Sequence, residues 1–402
     1  MTTNSTSAHH FARIWAVRLG VITLVFTGIL VLMGVSKYGA LDFARMGTRF
    51  SLGDPTGSGG YDGQFAYYIA RDGANAVPFI DGATLRYQRI LYPMIARVLA
   101  FGNPDLVPYT LILVNVIAHT VTAMLTAYLI ARLAPRHKFA PRSSLAPLAA
   151  LVITGWLGAL FAVRLDLNES LCFALALGAG AAYLDERPRL TAMLLILSVL
   201  AKETGLVFAL GIALHALMNT QQPTDAQGET SFSRVPTKTW LNVISSSNRF
   251  AYFFGMPLLA FLVWWGVLYI TFGTLPTRYP AARNIQPIPF NGLFAEESAA
   301  EFVFLTLWLA LPTLLIFLAA AHTVIRTRTI SLGAGLAIAG AGFVMLMPDV
   351  SWVDPVAAYR VGMPIVVCGL IYLAEHHPRW LRWATALWLP SLALALITPG
   401  MW

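Results

Sequence analysis

The chain has 402 residues, 57% hydrophobic and only 11% charged, with a mean hydropathy of +0.66. Soluble domains carry about 25% charged residues, so an ordinary soluble protein is excluded. The formal net charge of +8 reads as a topology signal rather than as nucleic-acid binding.

From the N-terminus, residues 1–14 read as a cytoplasmic tail. Arg13 and Arg18 then precede an apolar run from Leu19 to Val35. That run is long for a signal-peptide core and lacks a small-x-small exit, so an uncleaved first span is preferred to a cleaved signal. Further apolar runs of roughly 18 to 22 residues suit a hydrocarbon core of about 30 Å. Spans are predicted at about 15–36, 108–131, 146–163, 170–184, 190–201, 204–218, 251–273, 301–325, 331–348, 356–374 and 383–398. All should be helical, because barrel-type alternation is absent. The fold class is therefore an all-α polytopic membrane protein with about 11 transmembrane helices and amphipathic helices in an outer loop, 37–107. The chain divides into a membrane module at 15–218, a cytoplasmic linker at 219–250 and C-terminal spans at 251–402. No internal repeat is evident.

The run 190–218 sets the topology. As one helix it would be about 44 Å long, with Lys202 and Glu203 near mid-membrane, where a charge costs roughly 2.5–3.5 kcal/mol. A turn at Lys202-Glu203 brings those charges to the surface. With the N-terminus in the cytoplasm, that turn also puts over half of the 27 Lys and Arg on the cytoplasmic side, and about a quarter of the 19 Asp and Glu. The positive-inside rule therefore favours the turn.

The outer face then holds the chemistry-bearing residues. In Gly59-Gly60-Tyr61-Asp62-Gly63-Gln64-Phe65, Asp62 suits a general base, since a carboxylate accepts a proton from an attacking hydroxyl. It equally suits an N-cap for a helix over 64–71. Arg86, Arg89 and Arg97 fall within about 80° on one helix and would clamp a phosphate, or else snorkel as a solvated face; Pro93 would disperse that stripe. Asp166, Asn168 and Glu169 carry oxygens for a divalent cation or an acceptor, or simply polarity at a hairpin tip. Lys202-Glu203 is the pair least suited to a bland reading, being ionisable at the membrane boundary. Arg360, behind Asp349 and Asp354, is a later polar contribution. His119, His215 and His322 have no matched partner spacing and read as packing or interfacial residues. The two cysteines, Cys172 and Cys368, lie in apolar runs without CxxC or HExxH spacing, which argues against a disulfide framework or a zinc site.

Taken together, these residues resemble the GT-C class of integral-membrane glycosyltransferases, which take a sugar from a polyprenyl-phosphate carrier. The likeness rests on Tyr61-Asp62-Gly63-Gln64 with Tyr67, Tyr68 and Ile69-Ala70-Arg71, on two amphipathic segments in the first outer loop, and on the basic turn Ala201-Lys202-Glu203-Thr204. The Tyr-Asp-Gly-Gln-Phe run, with Arg86 to Pro93, is also similar to bacterial membrane proteins of cell-surface glycopolymer formation. The likeness covers about residues 15–218. Position 64 is Gln64, so the acidic pair of some members is missing here, and with it that pair's metal ligands.

The resemblance implies sugar transfer at the extracytoplasmic face of a bacterial inner membrane, to a glycan, lipid or protein acceptor. Asp62 would be the catalytic base, with Gln64, Tyr68, Arg71, Arg86, Arg89, Lys202, Glu203 and Arg283 at the donor and its phosphate. Asp166, Asn168, Glu169 and Arg360 would form a second polar set. The resemblance specifies no certain cofactor, and a divalent cation is compatible; nucleic acid is not an expected partner. The alternatives are a flippase for a lipid-linked glycan and a non-catalytic subunit of an envelope-polymer complex. A flippase would need polar residues deep in several spans, and the sequence offers few.

Overall fold

A computed structural model describes residues 3–134, 141–218, 246–278, 286–397 and 402. Arg283 and residues 219–245 of the linker segment lie outside these residues. The described residues form helices and connecting turns, with no strand among them.

Six helices among the described residues are long and apolar enough to cross a bilayer: His9–Tyr38, Pro104–Leu133, Asn248–Phe272, Ala299–Thr327, Pro355–His376 and Pro378–Ile397. A seventh span arises if Ala146–Gly155 and Leu157–Arg164, bent by 44° at Trp156, count as one. The chain is thus a multi-pass membrane protein by helix length and composition.

The expected eleven spans become six or seven. Every predicted segment is helical, but Glu169–Leu184, Pro188–Ala201, Gly205–Met218 and Leu332–Met345 hold only 16, 14, 14 and 14 residues. At 1.5 Å per residue they are about 21–24 Å long, short of a 30 Å core. Hydropathy overcounts because a helix buried among other helices is as apolar as one facing lipid. The first helix, moreover, begins at Thr3, so most of the segment read as a tail continues into the first span.

The helix Thr3–Tyr38 packs along Val107–Leu133, which also meets Glu169–Leu184; Leu332–Met345 lies between Gly205–Met218 and Met363–His376. Pro355–His376 is central, with most of its residues buried, and Asn248–Phe272 is peripheral, with few of them buried. Two glycines set the approach of the elements that matter below. A Cβ at Gly63 would overlap the Leu165 carbonyl oxygen, and one at Gly158 the Tyr359 carbonyl oxygen. Only glycine lets these backbones touch, which brings residues 62, 165–169 and 360 to one end of the helix bundle.

The chain turns at Lys202-Glu203-Thr204, between Pro188–Ala201 and Gly205–Met218, with the Gly205 amide donating to the Lys202 carbonyl at 2.9 Å. A small residue at that position also allows close packing against Ser198 and Val199.

Candidate functional site

Asp62 occupies the N-cap position of the Gly63–Asp72 helix, yet its side chain makes no capping hydrogen bond. Its carboxylate pairs instead with Arg86 at 3.0 Å, while 36% of the side chain remains exposed. The capping explanation of this residue therefore fails on geometry. Arg86 sits at the end of the short Ala83–Tyr87 helix. It also binds Asp81 through two bonds of 2.6 Å and lies over the Phe65 ring at 4.2 Å.

Arg89 follows just after that helix and forms a two-pronged pair with Glu203, at 3.0 and 2.6 Å. Gln88 adds a bond to Glu203 at 3.0 Å and accepts one from Trp265 at 2.9 Å. Trp264 donates to the Tyr87 carbonyl at 2.9 Å. The peripheral Asn248–Phe272 helix is thereby tied to the segment that carries both arginines.

Behind this pair lies a second, more deeply buried group. Glu169 Oε1 accepts from Lys202 at 2.6 Å and from Arg360 at 2.9 Å, with all three side chains under 10% exposed. Arg360 lies 5.2 Å from the centre of the Tyr61 ring. Tyr61 donates to Asp354 at 3.2 Å, and Asp354 caps the helix that carries Arg360.

The two groups share one field. Burial alone would raise the Asp62 pKa, but Arg86, Arg360, Arg89 and Lys202 outweigh it and hold the group at about 2. Burial likewise works against ionisation of Glu203, and Arg89 and Lys202 hold it at about 2. Both carboxylates are charged at neutral pH. A cleft of about 20 Å³, lined by Asp62, Phe65, Arg86, Arg89, Pro93 and Asn168 among others, opens onto the cluster. That is room for one or two waters. The Asn168 side-chain oxygen has no hydrogen-bond partner.

Several residues expected here are engaged elsewhere. Gln64 is fully buried and braces the preceding loop, accepting from Gly47 at 3.0 Å and donating to Gly59 at 2.7 Å. Arg71 grips Asp72 at 2.8 and 2.6 Å and stacks over Tyr68, which packs on Phe79. Arg97 donates to the Ala70 and Arg71 carbonyls. The helix carrying the supposed Arg86–Arg89–Arg97 stripe is interrupted between Tyr87 and Leu91, ahead of Pro93. Asp166 faces Tyr92 rather than the cluster. Glu169 is paired with two cations through Oε1, and no set of three or more His, Cys, Asp or Glu fit for a metal occurs among the described residues.

Asp81, Trp264 and Trp265 complete the cluster without being singled out in the sequence, while Tyr61 and Gln88 lie inside the Tyr61–Phe65 and Arg86–Pro93 runs but are given no role there. Trp264-Trp265, an adjacent pair inside the 251–273 apolar run, carries the one usable signal, since a buried indole N–H seeks a hydrogen-bond partner.

No model of a known family, curated protein or solved structure matches this chain.

Proposed function

We propose that the chain is a membrane glycosyltransferase that moves a sugar from a polyprenyl-phosphate carrier to an acceptor hydroxyl at the extracytoplasmic face. The observation that carries this reading is Asp62: a charged carboxylate, free of helix capping, reachable from solvent and surrounded by Arg86, Arg89, Lys202 and Arg360. A base and a set of cations beside lipid-embedded helices suit a reaction in which a hydroxyl loses a proton and a phosphate leaves.

In the resting arrangement Asp62 is a weak base, and the cleft is too small for a phosphate. Both limits point to the same step. A phosphate that draws Arg86 away from Asp62 and Asp81, and Arg89 away from Glu203, makes its own room. With its cations shared, Asp62 binds a proton more readily. The acceptor oxygen then bonds to the sugar's anomeric carbon, its proton passes to Asp62, and the bond to phosphate breaks with its electron pair on the leaving oxygen. Lys202 and Arg360, fixed by Glu169, keep the local field positive at that moment.

A second reading also has support. Arg86, Arg89, Lys202 and Arg360 face Asp62, Asp81, Glu169 and Glu203, four charges against four. Such a balance suits a lock between helices in a non-catalytic subunit. Sugar transfer from a polyprenyl-phosphate donor, measured with Asp62→Asn, separates the two. The enzyme reading requires transfer to be lost in a normally folded protein, and the lock reading requires no transfer even by the unaltered chain.

A further inference from the structure

The Leu157–Arg164 helix ends in a tight αL turn. The Leu167 amide donates to the Ala162 carbonyl at 2.9 Å and that of Asp166 to Val163 at 3.4 Å, with Asp166 at φ +48°. This is a Schellman arrangement with an aspartate where glycine is usual. It drives the Asp166 side chain inward, where the residue is 0% exposed. Asp166 forms no ion pair among the described residues; neighbouring Arg164 binds the Asp42 carboxylate. One carboxyl oxygen lies 3.4 Å from the Tyr92 hydroxyl and the other has no hydrogen-bond partner.

We propose that Asp166 is a proton-binding site: a neutral carboxylic acid that donates its hydrogen to the Tyr92 hydroxyl. Hydrogen-bond accounting leads there. A phenol has one hydrogen and accepts through its oxygen. The Tyr92 oxygen lies 3.0 Å from the Leu111 carbonyl, which can only accept, and receives a bond from Asn115 at 2.7 Å. Its hydrogen is thus directed to Leu111, and the hydrogen between Tyr92 and Asp166 must come from Asp166. A phenol bonded to an ionised carboxylate would close to about 2.5–2.7 Å; 3.4 Å is far outside that range. An unpaired charge at a fully buried site also costs several kcal/mol, which protonation avoids.

The groups that act on Asp166 agree. Burial pushes its pKa well above the usual carboxylate range, and the nearby Arg164 charge only partly opposes this. Two residues on, Asn168 lines the cleft. The site thus holds one exchangeable proton behind the charged cluster, and this holds whether or not the chain transfers sugars.

The test uses the purified full-length chain in lipid nanodiscs, by infrared difference spectroscopy between neutral and alkaline pH. Unaltered protein should show a protonated-carboxyl stretch at neutral pH; Asp166→Asn should diminish it and Asp62→Asn should leave it unchanged. An undiminished band in Asp166→Asn overturns the assignment. Should Asp166→Asn fail to fold, Tyr92→Phe serves instead: removing the acceptor should move the band to higher frequency, and an unmoved band contradicts the proposal. Thermal unfolding gives a further check. A folded-state pKa above the ordinary 3.8 stabilises fully below that value and is lost as pH rises. Asp166→Asn should therefore outlast the unaltered chain at neutral pH, with the gap closing near pH 4; an equal gap at both pH values overturns the proposal.

Discussion

Arg360 donates to Glu169 at 2.9 Å across 191 residues of sequence, on the same oxygen that receives Lys202. One buried carboxylate thus joins the central Pro355–His376 span to the turn between two short helices. Breaking a buried pair by removing one partner typically costs about 3–5 kcal/mol, because the remaining charge is left uncompensated. Glu169→Gln leaves two such cations. Thermal unfolding in detergent should show a loss of that order, far above the about 0–1 kcal/mol typical of a solvent-exposed ion pair.

Acid should loosen the same end of the bundle. The folded-state pKa of Glu203, about 2 against an ordinary 4.5, stabilises the protein above the ordinary value and loses that contribution as pH falls through the folded one. Between pH 5 and 2 the unaltered chain should lose stability more steeply than Glu203→Gln. Parallel unfolding curves for the two proteins would refute the pairing with Arg89.

Gly63→Ala tests how Asp62 is placed. The added methyl meets the Leu165 carbonyl, and overpacking of this kind costs about 1–3 kcal/mol. The helix start must shift, carrying Asp62 away from Arg86. Any activity that depends on Asp62 should fall further than stability does. An alanine variant with unchanged activity and melting temperature would show that the close approach is not required.

The helices were legible in the sequence because apolar runs mark them without ambiguity. Their function as spans was not, since Gly205–Met218 is apolar from burial against protein. Asp62 was legible from its flanking glycines and aromatic neighbours. Gln64, two residues away, was not, because bracing the loop at Gly47 and Gly59 is a tertiary event with no local signature. The arginine stripe requires one continuous helix; the chain breaks between Tyr87 and Leu91, just ahead of the Pro93 that marks the dispersal in the sequence. Asp81 and Gln88 join the cluster only through folding of the loop.

The ends of the central span predict sidedness. Arg360 lies near the start of Pro355–His376, whereas Glu375 and His376 meet Ser331 at its close. Leu52, 78% exposed in the Asp62 loop, and Thr329, exposed beside Ser331, should therefore face opposite sides of the membrane. Native Cys172 and Cys368 are buried, so background labelling is low. Leu52→Cys and Thr329→Cys should react with an impermeant maleimide from opposite sides of sealed vesicles. Labelling of both from one side would contradict the assignment of the bundle ends.

The most direct measurement is transfer of a radiolabelled sugar from a polyprenyl-phosphate donor by membranes containing either the unaltered chain or Asp62→Asn. The expected result is transfer by the unaltered chain and its loss by at least about 100-fold in the variant, at equal protein level and melting temperature, as fits removal of a general base. Transfer by Asp62→Asn at the unaltered rate would contradict the account.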